Sequence, residues 1–421
     1  MKFAPKPLQQ NGWTGGQYSF FRIIFGVYLL CHFVQLIPYG KELFSSQGML
    51  PHAAASPILY AFLNILALCD TPLFVTLLLL LSALFSLAFA LGFYDRLAAL
   101  ALWYVWACLF GRNPLIGNPS LPYVGLLLLA HACLPVASYG SWVHRKAVVP
   151  HSDWHMPPAI YLVVWALMAL GYSYSGYTKL ISPSWVNGSA FHYVLENPLA
   201  RPGVLREWLL SLPPVILRGC TWAALCLELL FAPLALSRRL RPLLWSVMLL
   251  LHCGLIVLID FADLSFGMVL LHLFTFDPAW IKPLAAQAPA TIFYDGNCGL
   301  CHRAVRFFLA EDTTGKLFRF APLQNKTFIS ATTTLQRQTL PDSIVIITDD
   351  KRLLWHSTAV LYLLKRLGGV WRLLACVAEI MPLCWRDAMY EWVAKNRHRL
   401  GRKANDVCPT MPAETRVRFD A

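Results

Sequence analysis

The residues best placed to do chemistry are two cysteines in the run Tyr294-Asp295-Gly296-Asn297-Cys298-Gly299-Leu300-Cys301, which follows a strand-like segment and precedes a helical one. A C-x-x-C pair at such a junction suits reversible disulfide exchange. Free N–H groups and the dipole at a helix N-terminus favour thiolate over thiol at the first cysteine. The second is close enough to attack a mixed disulfide and release the partner. Cys298 is therefore the expected nucleophile, nearer the helix end and more exposed, and Cys301 the resolving thiol. Asp295 either caps the helix, accepts a proton during exchange, or only fixes the turn. As a negative group it opposes a thiolate beside it.

Other uses of the pair are weaker. Cys298 to His302 also fits the C-x-x-C-H pattern of covalent haem attachment. That attachment takes place on the outer side of a membrane, whereas charge bias puts this segment inside, and haem motifs rarely follow a buried strand. A structural zinc site needs two more ligands, and no second C-x-x-C exists, so no metal is expected. His302 reads as an exposed first-turn residue. Cys31, Cys69, Cys108, Cys133, Cys220, Cys226 and Cys253 lie in or beside apolar runs as small hydrophobes. Cys376 and Cys384 read as core of an apolar helix, and Cys408 sits in a polar tail.

The pair needs a small α/β unit to hold it. Ala290–Tyr294 reads as a strand, His302–Ala310 as a helix, and Lys316–Phe320 as a second strand. Ser343–Thr348 is the continuous apolar kind of strand found inside a covered sheet, with Leu353–His356 as its hairpin partner. A helix over Ser357–Leu367 stops at Gly368-Gly369, and helical material follows through Trp371–Arg399. The order β–α–β, β-hairpin, helix is what a thioredoxin-like fold requires.

The rest of the chain is of another kind. The whole is 57% hydrophobic and 14% charged, against roughly a quarter charged in soluble domains. Residues 1–289 hold only 26 of the 57 Asp, Glu, Lys and Arg residues. The expected division is a polytopic membrane domain over 1–285, the thioredoxin-like domain over 290–405 and a polar tail over 406–421. Span-length apolar runs lie near 18–38, 71–92, 97–114, 121–140, 157–178, 219–236, 243–260 and 264–280, about eight spans in all. Residues 56–68 read as an interfacial or re-entrant helix. The first run has span length and no small-residue cleavage pattern after it, so it reads as a span and not a signal peptide. Lys2, Lys6, Arg22, Arg96, Arg145, Lys146, Arg238, Arg239, Arg241 and Lys282 would face inward, which places the C-terminal domain in the cytoplasm of a cell with an inner membrane. The net charge of +13 is scattered, without repeated aromatic interleaving, so it points to anionic lipid headgroups and not to nucleic acid.

The run Y-D-G-N-C-G-L-C resembles the signature of the thiol–disulfide oxidoreductase family named DCC. Phe320-Ala321-Pro322-Leu323-Gln324, Asp342-Ser343, Ser357, Ala359 and Asn396-Arg397 extend the likeness over roughly 290–405. The resemblance implies that Asp295, Cys298 and Cys301 are the signature residues and that a thiol or disulfide is the partner.

A second resemblance lies upstream. Gly176-Tyr177-Thr178-Lys179-Leu180, then Trp185-Val186-Asn187-Gly188, His252-Cys253 and Ser265-Phe266-Gly267-Met268 are similar to motifs of the vitamin K-dependent γ-carboxylases and their bacterial relatives, the horizontally transferred transmembrane family. Ser175 stands where that family has alanine. The likeness implies that Lys179 is a base acting on a reduced quinone, in a cavity lined by His252 and Glu228. A lone interfacial lysine is otherwise a snorkelling anchor, and His252 and Glu228 would otherwise serve an interhelical hydrogen bond. The chain lacks the large soluble part with which carboxylases hold a peptide. Three functions follow: a membrane-bound thiol–disulfide oxidoreductase linked to a quinone, a carboxylase-like enzyme with the cysteine domain as its reductant, or a non-catalytic scaffold or transporter.

Overall fold

The computed structural model describes residues 11–135, 140–143, 154–260, 262–296, 298–340, 344–397 and 416–420. Asn297, Asp342, Ser343 and Cys408 lie outside them. The chain forms two compact units. One takes 21–134 and 157–276, and the other takes 11–20, 140–143, 154–156 and 277 onward.

The first unit is helical. Its main helices are α1 (Gly15–Leu36), α2 (Pro72–Leu91), α3 (Asp95–Arg112), α4 (Leu121–Ala132), α5 (Pro158–Lys179), α6 (Pro214–Leu229), α7 (Arg241–Leu258) and α8 (Ala262–Thr275). Local sequence sets several ends. Thr71 caps α2 by accepting the Phe74 N–H, Pro72 supplies a first-turn residue with no N–H to lose, and Gly92 closes the helix at φ 68°. Small residues let helices approach: a Cβ on Gly26 would sit 2.7 Å from the Ala90 Cα. Two guanidinium groups buried here are matched, Arg22 by Asp95 at 3.4 Å and Arg112 by Asp70 at 3.0 Å.

Among the described residues four helices are long and apolar enough to cross a membrane: Gly15–Phe44, Pro72–Leu91, Pro158–Lys179 and Arg241–Leu258. A fifth crossing would need Val204–Leu210 and Pro214–Leu229, bent by 103°, to act as one span. The expected eight spans are therefore not matched. Hydropathy runs overstate helix length: α4 has 12 residues and reaches about 18 Å at 1.5 Å per residue, short of a core of about 30 Å. The run at 219–236 is split, because α6 ends at Leu229 and a separate short helix, Phe231–Ala235, follows. Residues 56–68 form turns with one short helix, Ile65–Leu68, in place of the interfacial helix expected there.

The second unit carries a mixed four-stranded sheet of order β2-β1-β3-β4, built from β1 (Ala290–Tyr294), β2 (Phe318–Pro322), β3 (Val345–Ile347) and β4 (Leu353–Trp355). β1 pairs in parallel with β2 (Ile292 opposite Phe320) and antiparallel with β3 (Ile292 opposite Ile346). α9 (Gly299–Glu311) makes the crossover from β1 to β2, and α10 (His356–Leu367), α11 (Gly369–Ala378) and α12 (Leu383–Lys395) follow β4. Both faces of the sheet are covered. Ile292, Phe320 and Ile346 pack with Val305, Phe308 and Leu363 on one side, and Phe293 and Val345 pack with Phe328 on the other. β1 has the expected bounds, the other three strands are shorter or shifted relative to expectation, and His356 opens α10 instead of ending β4. Cys376 and Cys384 are exposed, not core, because the apolar stripe that carries them faces outward.

Candidate active site

The apolar β1 ends at Tyr294, and the chain turns through Asp295 and Gly296 into α9. Cys298 is the N-cap: its backbone is extended (φ −103°, ψ 112°), and its Sγ accepts the Cys301 N–H at 3.4 Å. The Cys298 N–H donates to the Asp295 carbonyl at 3.2 Å, and the His302 N–H to the Cys298 carbonyl at 3.1 Å. One first-turn N–H thus points at the first sulfur, where negative charge would develop during exchange. Both cysteines are free thiols.

The expected exposure is reversed. Cys298 is 0% exposed and Cys301 6%, because the cap side chain folds back into the cluster of Ile292, Phe320 and Ala359. Burial first, and the neighbouring Cys298 sulfur second, push the Cys301 thiol up to about 12. Cys301 therefore keeps its proton, and the first-turn N–H is aimed at the Cys298 sulfur.

Asp295 does not occupy the cap position. Its Oδ2 lies 3.4 Å from the Arg397 guanidinium, and both side chains are nearly buried, at 8% and 12% exposed. The pair neutralises a carboxylate that would otherwise disfavour a thiolate nearby. His302 is half-buried, not exposed. Its Nε2 lies 2.8 Å from the Gly296 carbonyl, to which only an N–H can donate, and its ring meets Tyr294 edge-on at 5.5 Å. Ser357 is tied to Asp387 through its backbone N–H (3.2 Å) and hydroxyl, which fixes the start of α10 to α12.

In the first unit the structure pairs Lys179 with Glu228 and sets the ammonium 4.5 Å over the Trp185 ring. His252 is held by the Tyr172 hydroxyl at 2.9 Å, and His272, which sequence reasoning missed, by the same hydroxyl at 2.8 Å. A hydroxyl has one proton, so at most one Nε2 can accept it and the other must donate. The Nδ1 atoms of both rings are buried and have no hydrogen-bond partner among the described residues. A separate cavity of about 240 Å³ is lined by His32, Gln35, Trp106, Asn118 and Asp263 among others, and Asp263 there bonds Tyr28, His32 and Asn118. In the sequence these groups are marked only as lone polar residues in apolar runs. Among the described residues no three His, Cys, Asp or Glu side chains are arranged to hold a metal ion.

The model of DCC1-like thiol-disulfide oxidoreductases matches residues 292–403. YuxK of Bacillus subtilis (strain 168) is 34% identical over 126 residues, which is 29% of this chain and 88% of that protein. A chloroplastic DCC family protein of Arabidopsis thaliana is 31% identical over 137 residues, 31% of this chain and 76% of its own length. No solved structure matches. The segment matched is the one that builds the cysteine cap, the sheet beneath it and the helices up to Arg397, and on that ground the chain belongs to the DCC1-like thiol-disulfide oxidoreductase family.

Proposed function

We propose that the protein is a membrane-bound thiol–disulfide oxidoreductase in which Cys298 attacks and Cys301 resolves. The observation that carries this reading is the cap: the Cys298 sulfur receives a helix N–H while Cys301 stays protonated. The Cys298 thiolate attacks one sulfur of a substrate disulfide, forming a mixed disulfide and expelling the other sulfur as a thiolate that takes up a proton. Cys301 then gives up its proton and attacks the Cys298 sulfur. The Cys298–Cys301 disulfide forms, and the substrate leaves with two electrons as a dithiol. A thiol reductant resets the pair. Because both sulfurs are covered, exchange with a protein substrate requires a local opening first. The test is trapping: Cys301→Ser should accumulate a mixed disulfide through Cys298, and Cys298→Ser none. Equal trapping by both variants would remove the assignment.

The membrane location rests on the four span-length helices, and the charge bias supports a cytoplasmic second unit. Lys179, Glu228 and the Tyr172–His252–His272 group form the place where a quinone would bind, with Lys179 as base and the orphaned Nδ1 atoms available to a ring carbonyl or hydroxyl. Lys179→Arg keeps the charge and stem but cannot act as a base near neutral pH, so it should abolish any quinone-linked turnover and leave Cys298–Cys301 reduction intact. Unchanged turnover in that variant would leave Lys179 an anchor.

A further inference from the structure

The helices after the sheet carry a feature that disulfide exchange does not use. α11 exposes Leu373 and Val377, Ile380 follows just beyond its end, and α12 exposes Trp385, Met389 and Trp392, each between 45% and 83%. The spacing i, i+4, i+7 puts the triplet of α12 on one face of that helix, and Leu373 and Val377, at i and i+4, share a face of α11. Consecutive helices thus present two apolar stripes, the second bearing two tryptophans, far from what a water-facing surface carries singly.

We propose that the exposed faces of α11 and α12 dock the second unit onto the surface of a lipid bilayer. Three observations choose the bilayer over a protein. The same chain holds four helices of span length, and α8 ends at Thr275, two residues before the second unit resumes, so a membrane is always within reach of the patch. Tryptophan and long apolar side chains on exposed helical faces are the composition that settles at the headgroup boundary. Five of the six charged side chains from Arg372 to Lys395 are engaged inside the unit, Glu379 by Lys365, Glu391 and Lys395 by each other, Asp387 by Ser357 and Arg372 by the Lys282 carbonyl, with Arg386 the exception. Attraction is therefore apolar and needs no anionic lipid. Arg397, two residues beyond α12, holds Asp295 beside the cysteine cap. The docked helix consequently presents the Cys298–Cys301 pair to thiols close to the membrane.

The test uses the full chain in neutral phosphatidylcholine vesicles, with benzoylphenylalanine installed in turn at Trp385, Trp392 and, as a control, the exposed Ser330. Irradiation followed by mass spectrometry of the crosslinked peptides should give at least tenfold more lipid adduct at 385 and 392 than at 330, unchanged in 0.5 M salt. Adducts to protein, whether this chain or a second copy, would overturn the proposal, and so would a lipid yield equal to that at Ser330. The proposal rests on the membrane reading of the first unit, whose failure shows separately as release of the whole protein from vesicles at alkaline pH.

Discussion

Arg397→Met isolates the role of the buried ion pair beside the cysteines. At 3.4 Å and an effective dielectric constant of about 20, the Arg397–Asp295 attraction is about 5 kcal/mol before desolvation is counted. Removing one partner leaves a carboxylate buried and unpaired, and such losses cost about 3–5 kcal/mol. Cys298 and Cys301 are covered in the folded unit, so their alkylation reports its opening, while exposed Cys376 and Cys384 label at once and serve as internal controls. At about 1.4 kcal/mol per tenfold, alkylation limited by opening should accelerate by roughly two to four powers of ten. Adding Asp295→Asn removes the stranded charge and should recover most of that loss. The assay is the time course of iodoacetamide labelling of the Cys298–Cys301 peptide, read by mass spectrometry. Wild-type labelling in the single variant, or a double variant as fast as the single one, would refute the idea that this pair holds the turn closed.

Other tests follow from the same geometry. The Cys301 thiol is raised from about 8.5 unfolded to about 12 folded, so its contribution to stability is complete below pH 8.5 and is lost as pH rises toward 12. Alkaline unfolding of the reduced protein should be blunted in Cys301→Ala, and an unchanged curve would count against burial as the cause. Glu311 accepts the Gly16 N–H at 2.8 Å and bonds from Thr14 and Trp371, so Glu311→Gln turns an amide N–H toward donors and should cost about 1–3 kcal/mol in thermal unfolding. A reporter active only in the cytoplasm, fused after Ala421, should be active, and silence would reverse the orientation read from the charge bias.

The sequence displayed what is local. The cysteine turn, the strand before it and the helix after it could be read from periodicity and spacing, and so could the β–α–β, hairpin, helix order. Pairing across distance could not. Arg397 stood out only as a motif residue, because nothing along the 101 intervening positions marks it as the partner of Asp295. Tyr172, His252 and His272 lie on three helices, and a lone histidine in an apolar run looks the same whether or not it meets a hydroxyl. Periodicity also fixes that a stripe exists without saying what it faces, which is why Cys376 and Cys384 were expected in a core they do not join. Cys298 fails for a related reason: a cap position predicts backbone geometry, but its exposure depends on Ala359 and Phe320, which arrive from elsewhere in the chain.

The make-up of the second unit constrains how the chain can thread a bilayer. Trp154 stacks on Tyr18 at 5.1 Å, Asn11 donates to the Met156 carbonyl at 3.2 Å, and Gly16 meets Glu311. The first turns of α1, the stretch between α4 and α5, and the chain after α8 are thus parts of one folded body. If the first unit crosses a membrane and the second stays on one side of it, crossings come in even numbers within 21–134 and again within 157–276. Four spans satisfy this as two pairs, Gly15–Phe44 with Pro72–Leu91 and Pro158–Lys179 with Arg241–Leu258. On that condition eight crossings would pass the same parity test and five would not.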